Sequence, residues 1–191
     1  MSSFNTYLRL GYEHIVNTAA LDHMLFIIVL MAVYQPKNWL KVIAAVTFFT
    51  VGHSITLTLA ALELVKFDQN LIEFLIPLTI LFTALFNLTR AGQDQSSRTK
   101  YWIAAVFGLI HGLGFANYYD MLTMGESSYW GALLPFNLGV ELGQLLIVFI
   151  FLILGVICLR IFNMKHQSWN IFFSGAGFGL SLLMVFETWP F

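Results

Sequence analysis

The chain has 191 residues, of which 59% are hydrophobic and only 10% are charged. Soluble domains carry about 25% charged residues, so this composition excludes an ordinary soluble fold and predicts an integral membrane protein. The net charge of −1 argues against a nucleic-acid partner, and the one cysteine, Cys158, excludes an internal disulfide and a cluster of thiolate metal ligands.

Six apolar stretches are long enough for transmembrane helices, which need about 20 residues each. In chain order they cover residues 16–34, 40–63, 71–89, 102–119, 132–159 and 169–188. They account for nearly the whole chain, and the connections between them are short. We therefore expect an all-α, polytopic bundle of about six transmembrane helices that forms a single transmembrane domain over residues 1–191.

The basic residues are distributed unevenly between the two ends of the predicted bundle. Arg9 and Lys66 lie at one end, and seven lie at the other: Lys37, Lys41, Arg90, Arg98, Lys100, Arg160 and Lys165. Because Lys and Arg accumulate on the cytoplasmic side, we expect both termini to lie outside. His166 falls in the last inner connection, where we expect a solvated loop residue.

Six of the ionisable residues in or next to the predicted spans are candidates for a shared site. In chain order they are His14, Asp22, His23, His53, His111 and Glu141. An ionisable side chain in hydrocarbon is costly unless it faces the bundle interior and finds a partner. With the expected orientation, all six lie in or near the outer half of the membrane, so we predict one shared polar site open to the outside.

The first span raises a geometric question. On a continuous helix His14 and Asp22 would be eight residues, or about 12 Å, apart, too far for both to bind one metal ion at about 2 Å. Either the helix is broken near Asn17 and Thr18, or His14 marks a second station on a path. Asp22 and His23 point about 100° apart, so one could bind the ion while the other orients it.

Residues close to these groups are expected to support them. Asn137 and Gln144 share a helix face with Glu141 because they are separated from it by four and three residues, and Ser54 follows His53. We expect Ser54, Asn137 and Gln144 to hold the ligands in place. Three glycines around His111 would let a neighbouring backbone approach closely: Gly108, Gly112 and Gly114.

Imidazole and carboxylate ligands without thiolates suit nickel, cobalt, zinc or iron. The site could bind such an ion transiently, as the cargo of a permease, or hold it permanently in an enzyme. Without a metal, the same groups could relay protons. His53 and His111 could also hold a haem, although the nearby carboxylates give no reason to prefer it.

Five groups of residues carry a family resemblance: G-Y-E-H-I with L-D-H-M-L-F, F-T-V-G-H-S-I-T-L-T-L, L-I-P-L-T-I-L-F-T-A-L-F-N, F-G-L-I-H-G-L-G-F-A and F-N-L-G-V-E-L-G-Q. With them the sequence resembles the HupE/UreJ family of bacterial membrane proteins over most of its length. Members are generally described as nickel or cobalt permeases associated with hydrogenase and urease systems. The resemblance implies a multi-pass protein of the bacterial inner (cytoplasmic) membrane, with His14, Asp22, His23 and His111 on the metal path.

Two functions from different classes follow. The first is a permease for a divalent transition metal of the nickel or cobalt type, whose partners are the ion, membrane lipids and, optionally, further copies of the chain. The alternative is an intramembrane zinc-dependent hydrolase or transferase acting on a lipid or a membrane-embedded substrate, with Asp22 and Glu141 as catalytic residues. A pure assembly partner would need no titratable pocket.

Overall fold

The computed structural model describes residues 3–17, 21–95, 98–123 and 129–190. These residues are mostly helical and contain no β-strand. They form eight α-helices, labelled α1 to α8 in chain order: Ser3–Val16, Leu21–Ala32, Trp39–Ala61, Gln69–Leu88, Arg90–Gln93, Thr99–Thr123, Tyr129–Val156 and His166–Glu187. A 3-10 turn, Pro36–Asn38, precedes α3, and a π-helical turn, Ile157–Ile161, follows α7. The prediction of an all-α protein is confirmed.

Four helices in the described part of the chain are long and apolar enough to cross a membrane, namely α3, α4, α7 and α8. The helices α1 and α2 meet this criterion only as a pair, bent by 67°. Although α6 has 25 residues, it does not meet the criterion, because His111, several glycines and a polar C-terminal end lower its hydropathy. The predicted multi-pass bundle is confirmed, whereas the number of six spans and the orientation of the termini stay predictions.

The predicted and the observed helix boundaries differ most for the first predicted span, residues 16–34. The helix α1 ends at Val16 and α2 begins at Leu21, so the histidine-rich segment lies on two helices. Most residues of α2 are buried, including Phe26, Val29 and Met31. A helix that is apolar around its whole circumference belongs in the centre of a bundle, and α2 contacts α4, α7 and α8.

Two helix pairs approach each other closely through glycines. A Cβ atom on Gly52 of α3 would lie 2.1 Å from the carbonyl oxygen of Ala105 in α6. A Cβ atom on Gly11 of α1 would lie 2.0 Å from the carbonyl oxygen of Phe136 in α7. Small residues allow such contact between membrane helices. These two interfaces hold α3 against α6 and α1 against α7, and each of the two pairs carries at least one of the predicted site histidines.

The helices α2, α4 and α8 are joined by a buried polar network. The Asn87 amide donates to the carbonyl oxygen of Val29 at 2.7 Å, and Asn170 donates to the carbonyl oxygen of Asn87 at 2.9 Å. Ser174 donates to Asn170 at 3.0 Å. Because buried polar groups that are fully bonded rigidify a bundle, we assign Asn87 a structural role.

Candidate metal centre

Four histidines from four helices meet inside the bundle. His14 lies in the last turn of α1, His23 in the first turn of α2, His53 in α3 and His111 in α6. The ring centroid of His23 lies 4.6 Å from that of His14, 5.1 Å from that of His111 and 6.0 Å from that of His53. His23 is therefore the central ring, and Asp22 lies beside it.

The interruption between α1 and α2 answers the geometric question raised by the first span. On one continuous helix, His14 and Asp22 would be too far apart to share an ion. On two helices bent by 67°, the His14 ring instead reaches the His23 ring. The helix is therefore broken, as the first interpretation expects, but His14 and Asp22 belong to different candidate groups, so the second interpretation, two stations on a path, stays open as well.

The histidine rings are buried, yet several of their nitrogens make no hydrogen bond. His53 and His111 are 0% exposed and His23 is 4% exposed. Five buried ring nitrogens lack a hydrogen-bond partner: His14 Nε2, His23 Nε2, His53 Nδ1, His53 Nε2 and His111 Nδ1. An unpaired buried polar atom costs about 1–3 kcal/mol, so their concentration at one place indicates a ligand that supplies the missing bonds.

Two hydrogen bonds determine which nitrogen of His23 and of His111 is free to bind a metal. His23 Nδ1 lies 3.1 Å from Asp22 Oδ1, and a carboxylate can only accept there, so Nδ1 carries the proton and Nε2 the lone pair. Thr79 Oγ1 lies 3.0 Å from His111 Nε2, so this nitrogen is occupied by a hydrogen bond and Nδ1 is the nitrogen without a partner. In both rings, the nitrogen without a partner is the one able to ligate.

The described residues contain two groups that could hold a metal ion, and His23 belongs to both. One is His14, His23 and His53, and the other is Asp22, His23 and His111. Within each group the ligand atoms lie within 4.8 Å of one another. Two ligands at about 2.1 Å from one ion can be at most about 4.2 Å apart, so any pair of atoms near the 4.8 Å limit must move closer together to share an ion. The donor set fits a divalent transition metal.

Aromatic side chains enclose the cluster on two sides. The Phe115 ring lies 3.9 Å from the His14 ring and stacks on Phe136 at 5.1 Å. On another side, Phe26 and Phe49 stack on each other at 4.8 Å, and their centroids lie 5.3 and 5.1 Å from that of His111. This dry surrounding strengthens any electrostatic interaction inside the site.

The structure does not bring Glu141 into either metal group. Its carboxylate accepts hydrogen bonds from Thr47, at 2.7 Å, and from Thr50. It lines a groove of about 510 Å³ between α3 and α7. Ser54 and Asn137 line the same groove, so these residues surround Glu141 rather than the histidines.

Gln144 also belongs to this second polar group, since its side-chain oxygen lies 2.7 Å from Thr50 Oγ1. The residue that does support a histidine, Thr79, was not singled out in the sequence. Thr79 and Thr83 lie one turn apart on α4, and this pair of hydroxyl groups is the feature of the sequence that could have identified Thr79. The sequence could not predict which aromatic side chains enclose the histidines, because phenylalanine occurs throughout the chain.

The amino-acid sequence matches a known protein family. A sequence model of the HupE / UreJ protein family matches residues 1–189. The chain belongs to the HupE/UreJ family. The match spans both groups of candidate ligands, so the HupE/UreJ assignment applies to the helices that carry the site. Neither the comparison with curated proteins nor the comparison with solved structures finds a match.

Proposed function

We propose that this HupE/UreJ chain is a permease for a divalent transition metal of the nickel or cobalt type. The observation that carries the proposal is the cluster of four buried histidines whose ring nitrogens lack partners. The family assignment supports transport, because its members are generally described as nickel or cobalt permeases. The ion is the transported substrate, and the expected location is the inner membrane of a bacterium.

The two overlapping ligand groups suit transient binding. Conduction requires a site that is favourable enough to bind an ion and weak enough to release it. Because His23 belongs to both groups, an ion held with His14 and His53 could pass to Asp22 and His111 without losing every ligand at once. Such a shared ligand lowers the barrier between two stations.

The broken first span also favours transport. Secondary transporters place their substrates at interrupted helices, where the ends of half-helices point at the ion. Here His14 lies at the end of α1, and Asp22 and His23 lie at the start of α2.

A second candidate is an intramembrane zinc-dependent hydrolase or transferase, and the aromatic enclosure favours it. Phe26 and Phe49 are each 1% exposed and close the cluster on one side. A pocket that is closed on one side suits a permanently bound ion better than a transported ion. In this reading three histidines would hold the zinc, which would supply an activated water, and Asp22 would orient His23.

Metal retention distinguishes the two candidates. Detergent-purified protein would be dialysed against a chelator and analysed for metals by mass spectrometry, as wild type, His111→Ala and His166→Ala. The permease predicts little retained metal, with reversible nickel or cobalt binding that is lost only in His111→Ala. Near-stoichiometric zinc that survives dialysis in the wild type would overturn the permease in favour of the enzyme.

A further inference from the structure

A polar pocket lies at the end of the bundle opposite the histidine-rich start of α2. It has a volume of about 290 Å³, and its walls include Gln35, Lys37, Arg160 and His166. These residues come from the turn before α3, the π-helical turn after α7 and the start of α8. All three segments are ends of candidate membrane spans, so the pocket lies at the depth where lipid headgroups are found.

The positive charge of this pocket is not neutralised within the described residues. No carboxylate lines it, and neither Lys37 nor Arg160 forms an ion pair with a described Asp or Glu. His166 contributes a buried Nε2 atom without a hydrogen-bond partner. Two cations in one concave site are complementary to an anion with several oxygen atoms, such as a phosphate.

The π-helical turn is what brings Arg160 to the pocket. The amide of Phe162 donates to the carbonyl oxygen of Ile157 at 3.2 Å, five residues back, so α7 widens in its last turn. The chain then reverses through Asn163, whose φ is 51°, and α8 begins at His166. Such π turns are rare and occur frequently at functional sites.

An apolar groove lies next to the polar pocket, and Pro36 lines both. The groove has a volume of about 440 Å³, and its walls include Trp39, Phe149 and Ile153. These side chains are exposed on the bundle surface. A free phosphate would use the pocket alone, whereas a phospholipid would use both features, with its headgroup in the pocket and an acyl chain along the groove.

We propose that this composite site binds one anionic phospholipid of the leaflet that faces Lys37 and Arg160. Basic pockets between transmembrane helices bind anionic headgroups in this way. The proposal is independent of metal transport. The structure places His166 at the start of α8 with its Nε2 buried, and not in a solvated loop as the sequence led us to expect.

The test measures the melting temperature of the full-length protein in mild detergent. Dioleoyl phosphatidylglycerol would be added in parallel with dioleoyl phosphatidylcholine and with inorganic phosphate. We expect phosphatidylglycerol to raise the melting temperature of the wild type by several degrees more than either comparison compound, because only it matches both the charge and the groove. Native mass spectrometry would count the phospholipids that remain bound.

Matched variants identify the site. Lys37→Gln with Arg160→Gln should abolish the specific effect of phosphatidylglycerol, whereas Arg90→Gln with Arg98→Gln, the same charge change at the same end but outside the pocket, should keep it. Ile153→Trp, which fills the groove and leaves the charges intact, should also reduce it. Equal responses of all variants, equal responses to both lipids, or a full response to phosphate alone would each overturn the proposal.

Discussion

At the scale of single residues, the hydrogen bond between Thr79 and His111 has a consequence for metal affinity. It occupies His111 Nε2 and leaves Nδ1 without a partner. Loss of such a supporting bond typically costs about 10- to 100-fold in metal affinity. We therefore expect Thr79→Val to weaken nickel or cobalt binding by about this factor, as measured by competition titration against a chromophoric chelator.

Thr83→Val is the matched control for this prediction. Thr83 lies one turn further along α4, is also buried, and donates only to the carbonyl oxygen of Thr79 at 2.8 Å. It should therefore leave the affinity close to that of the wild type. Equal losses in both variants would indicate a general effect on α4 and would contradict a specific role for Thr79.

Glu141 provides a second test at this scale. The sequence predicts a carboxylate ligand, whereas the structure places Glu141 beside Thr47 and Thr50 in the groove between α3 and α7. If Glu141 turns towards the ion during transport, Glu141→Gln should lower the measured metal affinity more than Asn137→Ala, a change in the same groove. Unchanged affinity in Glu141→Gln would exclude it as a ligand.

The sequence predicted that the histidines lie together, but it did not predict their hydrogen-bond partners. His23, His53 and His111 could be placed at one depth because depth follows from position along an apolar span. The rotation of each helix about its own axis does not follow from depth. The sequence could therefore not determine that Glu141 faces the groove, or that Thr79 faces His111.

At the scale of helices, the fit between α3 and α6 sets the position of two ligands. A Cβ atom on Gly112 would lie 2.3 Å from the carbonyl oxygen of His53 and equally close to Thr56 Oγ1. We expect Gly112→Ala to push the helices apart, destabilising the protein by about 1–3 kcal/mol and weakening metal binding. Thermal unfolding and the chelator titration would measure the two effects.

Gly179→Ala is the control, because nothing lies within 4 Å of a Cβ atom there. It should leave both the stability and the metal affinity nearly unchanged. A Gly112→Ala variant with the stability and affinity of the wild type would show that the contact between α3 and α6 does not position the histidines. The sequence indicated close packing around His111, but it could not identify α3 as the partner, because glycine spacing is the same for any neighbour.

The break between α1 and α2 shows where an apolar pattern is ambiguous. Residues 16–34 are apolar enough to predict one span, and only the distance between His14 and Asp22 suggested an interruption. The long helices α3, α4, α6, α7 and α8 follow the predicted spans within a few residues at each end. Boundaries set by hydropathy were therefore predictable, whereas hydropathy alone did not predict the bend between α1 and α2.

At the scale of the whole molecule, the question is how an ion could leave the cluster towards the opposite face. Phe26 and Phe49 close one side of the site, and Asn87 is occupied by contacts between helices. A narrow apolar layer opposes ions because water is excluded from it. If the protein is a permease, this aromatic layer is the barrier that must open.

We therefore expect Phe49→Leu to raise the maximal rate of nickel uptake several-fold in proteoliposomes that contain a metal-sensitive dye, because leucine leaves a wider passage. The half-saturating concentration should change less, since every ligand remains. Phe82→Leu is the control, because Phe82 is 50% exposed on the bundle surface. If neither the wild type nor Phe49→Leu transports nickel while purified protein keeps zinc, the aromatic layer is the floor of a catalytic pocket, and the enzyme replaces the permease.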